Sequence, residues 1–313
     1  MLITRSIDDR QVIDRTLTTF KLTIAYDGTG FVGWQRQASG VSIQGLLEEA
    51  FAELDGREVP VTGAGRTDAG VHAIGQVASV SLERVIDGGS VVRALNTRLP
   101  ESVRVLAAVE VPDTFHARFK ARSKTYRYRI WNGPVMNPFE RAYAWHIPAP
   151  PLDVEAMSAA AALVEGTHDF AAFQGTGTDP HSTERTVYCS RLFQGGPGGF
   201  GGPEGPHYKS GVRNEPEGPQ YNSGVRNRPE CPHDNCAGDQ ACPDALITYE
   251  ISGDGFLRHM VRNIAGTLVE IGRGRYASSW MAEVLASRDR TRAGRTAPAA
   301  GLFLVKVDYP EAC

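Results

Sequence analysis

Apolar and polar residues alternate in "TTFKLTIAYDG" (18–28), where β-branched and aromatic residues run into an Asp-Gly turn signal; this predicts a strand. The period then lengthens. In "VSIQGLLEEAFAEL" (41–54), Ile43, Leu46, Leu47, Ala50, Phe51 and Leu54 recur at helical spacing behind Ser42, a residue suited to cap the first turn. "GQVASVSL" (75–82) returns to strand character, "SVVRALNTRL" (90–99) predicts a short helix, and "SVRVLAAVEV" (102–111) another strand. A further short strand fits 59–62. The order β-α-β-α-β suits a two-layer unit of ferredoxin-like kind.

The second half repeats the theme. Strands are predicted at 124–131, 185–193, 246–252 and 301–309, and helices at 153–164, 256–272 and 280–287. The helix over 256–272 places Leu257, Met260, Val261, Ile264, Leu268 and Ile271 on one stripe. Asp254 is its expected cap, with Arg258 and Arg262, four apart, on the opposite side.

Residues 195–244 break the pattern. Eleven glycines and eight prolines fill this segment, and "PEGPHYKSGVRNE" (203–215) repeats as "PEGPQYNSGVRNR" (216–228). With so few large apolar side chains the segment cannot offset its own ordering entropy, so a disordered surface loop is expected. Its Cys231, His233, Cys236 and Cys242 lack the paired C-x₂-C spacing of common zinc sites, and no metal site is expected. The chain thus divides into an N-terminal extension (1–19), an N-terminal α/β unit (20–112) and a C-terminal α/β unit (113–313) interrupted by the insertion.

Charge changes this picture only when located. The net charge is −3 over 313 residues, and 195–244, with seven acidic and four basic residues, accounts for all of it. The neutral remainder contains "RFKARSKTYRYR" (118–129), six bases and no acid in twelve residues. Such a strip is either a solvated face or a surface for a polyanion. Asp8, Asp9 and Arg10 stand where a secretion signal would need apolar residues, and the longest apolar run, 159–164, is far shorter than the roughly 20 residues of a membrane helix. A cytoplasmic protein is the expectation. Five cysteines, an odd number, do not resemble a disulfide framework.

The candidate chemistry lies in "GAGRTDAGVHAIGQV" (63–77). In extended backbone, residues i and i+2 project to one side, so Arg66 and Asp68 can face one pocket, where an arginine favours the ionised carboxylate. Gly63 and Gly65 permit close approach of another backbone. The same window also fits an Asp68 that merely holds its own turn. A phosphate loop fits poorly, because no G-K-[ST] follows. In "SKTYRYRI" the strand period puts Tyr126 and Tyr128 on one face and Arg127 and Arg129 on the other. Interleaved aromatic and basic residues of this kind stack bases and hold phosphates, although tyrosines in a strand also serve simply as core.

Taken in order, "YDGTGFVGWQRQ" (26–37), "GAGRTDAGVHAIGQV" (63–77), "FHARFKARSKTYRY" (115–128), "DFAAF" (169–173), "GFLRHMVRNIAGTLVEIG" (255–272) and "APAAGLFLVKVDY" (297–309) resemble the TruA family of tRNA pseudouridine synthases. The resemblance runs from about residue 20 to 309, leaving out the repeat. It implies an α+β fold of two ferredoxin-like halves forming a mixed sheet, helices on one side and a catalytic cleft between the halves. It implies an isomerase that detaches uracil from ribose C1′, turns it and rejoins it through C5, at nucleotides 38, 39 and 40 of the tRNA anticodon stem-loop. The base must be flipped out to be reached. Asp68 matches the family's catalytic aspartate, and Arg66 the arginine that handles the flipped base. Tyr126 matches the active-site tyrosine, which stacks on the uracil and helps remove the C5 proton; Leu302 matches an apolar wall. No cofactor is implied, and a homodimer sharing one tRNA is. Arg118, Lys120, Lys124, Arg127, Arg258 and Arg262 are candidates for phosphate contact. A non-catalytic tRNA-binding protein on the same fold, or an isomerase with other target uridines, is the alternative.

Overall fold

The computed structural model describes residues 17–175, 177, 182–194 and 245–310. The repeat insertion, its cysteines and residues 1–16 of the extension lie outside the described residues. Ten strands form a single mixed sheet, and five α-helices accompany it.

The first half runs β1 (Thr18–Tyr26), α1 (Ile43–Asp55), β2 (Thr62–Gly63), β3 (His72–Leu82), α2 (Gly88–Asn96) and β4 (Val103–Val111). Its strands lie side by side in the order β4-β1-β3-β2, all antiparallel. This is the ferredoxin-like arrangement. Phe20, Leu22, Ile24 and Tyr26 point alternately into the core, where Leu47 and Phe51 of α1 and Val91 and Leu95 of α2 meet them. Ser42 caps α1 as expected, its hydroxyl accepting from the Gly45 N–H at 3.1 Å.

The second half contains β5 (Ser123–Trp131), β6 (Trp145–His146), α3 (Val154–Ala162), β7 (Gly166–Asp169), β8 (Glu184–Gln194), β9 (Leu246–Gly253), α4 (Met260–Gly272), α5 (Trp280–Ser287) and β10 (Leu302–Asp308). Its path β10-β5-β9-β8 repeats the antiparallel order of the first half, with β7 added at the edge. The short β6 and β7 were not predicted; two and four residues are too few to show a period.

The two halves meet where β10 lies parallel to the start of β3, through the pairs Phe303↔His72 and Leu304↔Ala73. Farther along the same edge of β3, β2 pairs with Ser79 and Ala78. The chain leaving β2 therefore turns back into β3 at the seam between halves, and residues 64–71 are that turn.

One helix start differs from expectation. α4 begins at Met260, not 256, and Asp254 does not cap it; the Asp254 carboxylate accepts from the Thr186 N–H instead. Arg258 consequently lies in the preceding loop and does not share a helix face with Arg262. Almost all of α4 is buried, including Asn263 and Thr267. Among the described residues no helix is long and apolar enough to cross a membrane.

Candidate active site at the seam

The loop that carries Asp68 is held from below by the chain's opening segment. Gly28 packs so closely that a Cβ there would stand 2.1 Å from the Val71 carbonyl oxygen, and one at Gly33 would stand 2.6 Å from that of Thr67. Gly33 also has φ +106°, a conformation side chains resist, so glycine is required there twice over. The Trp34 N–H donates to the Thr67 carbonyl at 3.1 Å, and the Thr67 and Tyr26 hydroxyls bond at 2.8 Å. Gln76, fully buried, donates to the Gly65 carbonyl at 2.9 Å. His72 anchors the far side: its Nδ1 accepts from the Gly28 N–H at 3.0 Å and its ring stacks on Phe303 of β10 at 4.6 Å. Burial pushes the His72 imidazole below its ordinary pKa, Asp27 opposing. "YDGTGFVGW" and "GRTDAGVH" thus form one packed unit. What closes on Gly63 and Gly65 is the chain's own Trp34 ring and Lys124 side chain.

Within this frame the turn is closed by main chain, the Val71 N–H donating to the Asp68 carbonyl at 3.1 Å. Among the described residues the Asp68 side chain makes no hydrogen bond to its turn, so the turn is closed without it. Its carboxylate, 30% exposed, faces the second half, with Arg262 Nη1 and His259 Nε2 each 3.5 Å from Oδ2. Charge-assisted bonds are ordinarily about 2.7–2.9 Å. At 3.5 Å the carboxylate is electrostatically matched but not tied down, and its lone pairs stay open to a substrate.

The matching cation is not the one expected from sequence. Arg66 is exposed and makes no ion pair among the described residues. Arg262, on the first turn of α4, supplies the positive charge. Its Nε donates to the Ala297 carbonyl at 2.7 Å, and the Ala297 N–H returns a bond to the Arg262 carbonyl at 3.1 Å. A guanidinium has separate N–H groups for both tasks, gripping Ala297 with one and facing Asp68 with another.

His259 was missed altogether. It occupies the position before α4 with φ 61°, a left-handed conformation that costs a non-glycine residue about 1–2 kcal/mol. This aims the ring at Asp68. Gly175 packs against the imidazole, its N–H bonding the Arg258 carbonyl at 2.8 Å, and Asn263 donates to the Phe173 carbonyl at 2.7 Å. The "DFAAF" block thereby braces the start of α4. Burial lowers the His259 pKa, Asp68 opposing and three arginines adding to the fall, so the ring facing Asp68 is neutral at neutral pH.

Tyr126 stands on the buried face of β5, paired with Leu304 of β10 and Ile251 of β9. Its ring meets Phe256 edge-on at 5.1 Å. Burial, with Tyr26 and Asp68 adding to it, raises the phenol pKa far above neutrality; Asp68 is thus within electrostatic reach of this ring. Leu302, buried, opens β10 opposite Tyr128.

The remaining basic candidates separate by what holds them. Arg127 is bonded to Glu250 at 2.7 Å, which Arg191 also grips at 2.6 Å. Arg118, Lys120 and Arg258 are exposed, and Lys124 lies half-buried beside Gly65. Only the i,i+4 spacing of Arg258 and Arg262 hinted at α4's role, and it pointed to the wrong geometry.

A part-exposed carboxylate faces a guanidinium fixed by Ala297, with a buried tyrosine within electrostatic reach. A family model described as tRNA pseudouridine synthase matches residues 22–120 and 160–310. The chain is 42% identical to tRNA pseudouridine synthase A of Myxococcus xanthus over 289 residues, 92% of this chain and 91% of that one. It is 40% identical over 293 residues to tRNA pseudouridine synthase A of Methylacidiphilum infernorum, covering 93% and 95% of the two chains. Moorella thermoacetica has a tRNA pseudouridine synthase A that is 40% identical over 291 residues, 92% of this chain and 98% of that one. The chain belongs to the tRNA pseudouridine synthase family and is an enzyme of the isomerase class.

Proposed function

We propose that this enzyme isomerises uridine to pseudouridine at nucleotides 38, 39 and 40 of the tRNA anticodon stem-loop, with Asp68 as the nucleophilic carboxylate. The observation that carries this reading is the Asp68 carboxylate, part-exposed and free of short hydrogen bonds, 3.5 Å from Arg262. Arg262 holds the negative charge in place while leaving the oxygens able to meet the flipped uridine. Arg66, exposed two residues before Asp68, can enter the helix and fill the vacated position. Tyr126 offers a stacking face, and Leu302, two residues before its β10 partner Leu304, an apolar wall. Burial favours the neutral Tyr126 hydroxyl.

The isomerisation exchanges one bond to uracil for another with no net redox change, and it needs no electron carrier. One tRNA spans two copies of the chain in this reading, and the protein works in the cytoplasm.

Asp68→Asn keeps the side chain's size and removes its charge. The variant is expected to bind tRNA as the wild type does and to make no pseudouridine, a loss of at least about a thousandfold. Nucleoside mass spectrometry of treated tRNA reads the result. Product at a rate near wild type would overturn the role of Asp68, and mapping pseudouridines in a strain lacking the protein tests the three positions.

A further inference from the structure

Several bases of the sheet are paired with acids of the same chain. Arg127 and Arg191 share Glu250, and Arg129 pairs with Glu140 at 2.8 Å. Three bases beside the Asp68 loop are not. Among the described residues Lys124, Arg118 and Arg185 form no ion pair, yet both arginines lie close enough to the lysine to oppose its charge. One acid, Asp254, acts on the lysine, and its Oδ1 already accepts from the Thr186 N–H at 3.1 Å.

Their placement ties them to the reacting base. Lys124 and Tyr126 are two residues apart on β5, so their side chains leave the same face about 7 Å apart. The Lys124 side chain lies against Gly65: a Cβ built there would stand 3.5 Å from Cε and 3.6 Å from Nζ. Gly65 precedes Asp68 by three residues, which span at most about 10 Å of chain. Arg185 reaches the group from β8, where its Nη1 donates to the Ser182 carbonyl at 2.9 Å and its Nε lies 3.4 Å from a Cβ built at Gly255. Arg118 comes from the turn before β5 and is exposed. Two strands and a turn thus bring an excess of positive charge beside the loop that carries Asp68, with the Lys124 side chain resting on Gly65.

We infer that Lys124, Arg118 and Arg185 form a phosphate clasp, and that it takes one of the two backbone phosphates flanking the uridine presented to Asp68. The inference rests on Asp68 being the group that meets that uridine. Such a clasp fixes the strand on which the base swings out, and it answers the cost of crowding three cations. Burial and the two guanidinium groups push the Lys124 ammonium below its ordinary pKa, Asp254 opposing, which is the condition an incoming phosphate relieves. It also divides the basic strip: Lys124 and Arg118 hold RNA, while Arg127 and Arg129 hold the protein together.

A scan on the full-length protein tests this. Anticodon stem-loops are made with a single neutral methylphosphonate at each position in turn, and affinity is measured by fluorescence anisotropy on Asp68→Asn, which does not turn over. Neutralising a phosphate next to the target uridine is expected to weaken binding roughly 10- to 100-fold, as loss of a charge-assisted contact does. In Lys124→Met on the same background, that substitution is expected to cost clearly less, while Lys124→Arg restores the full sensitivity. Full additivity of Lys124→Met with every methylphosphonate overturns the clasp, and so does a flat scan with the unaltered lysine. Because binding alone is read, these results stand whether or not wild-type protein forms pseudouridine, which tests Asp68 separately.

Discussion

The two halves share a strand order but not a purpose, and the difference sits in one connection. In the first half the link between the second and third strands, residues 64–71, is eight residues long, packed on Gly33, Trp34 and Tyr26, and carries Asp68. Its counterpart in the second half is the link between β8 and β9, which spans the fifty residues 195–244 with their thirteen-residue repeat. Elsewhere the second half gives what the first lacks: the guanidinium on α4, the imidazole ahead of it, and the tyrosine on β5. A repeated scaffold holds both, and function resides in which loops and side chains face the seam.

That contrast can be broken at its sharpest point. Arg262→Lys keeps the charge but cannot both grip Ala297 and face Asp68; single-turnover pseudouridine formation is expected to fall about 100-fold, with tRNA affinity far less changed. A rate within threefold of wild type would remove Arg262 from the pairing across the seam.

A smaller effect tests the anchor of the short loop. Both His72 and His259 have pKa values lowered from the ordinary 6.5. Below about pH 6.5 the unfolded chain binds protons that the folded one refuses, so stability is full above that pH and declines as pH falls, by up to about 1.4 kcal/mol per unit per histidine. Urea unfolding at pH 7.5 and 5.5 is expected to show the decline. His72→Gln should flatten it, and an equal slope in the variant would place the proton elsewhere. The smallest effect is expected at the long connection. Replacing 195–244 by a short Gly-Ser turn should leave turnover unchanged, and a large fall would give the repeat a share in the reaction.

Much of this was legible in the sequence because it is local. The period of α1, the cap at Ser42 and the buried alternation of Tyr126 and Tyr128 each depend on a few consecutive residues. The glycines around Asp68 announced a close approach, though not that Trp34 and Lys124 of the same chain make it. The partner of Asp68 was misread for a physical reason. Arg66 is near it in sequence, whereas Arg262 is brought near only by the packing of α4 against the seam. His259 was invisible because its left-handed backbone is imposed by Phe173, Gly175 and the buried start of α4. Asp254 looked like a cap since nothing local reveals that Thr186 claims it.

The seam itself rests on two main-chain pairs between β3 and β10. Sliding β10 by one residue would turn each of its side chains to the opposite face, carry Ala297 along the sheet and draw the guanidinium off the carboxylate. Strand alignment therefore acts as a gauge block: backbone pairing sets how far apart Asp68 and Arg262 are rooted before either side chain takes its place.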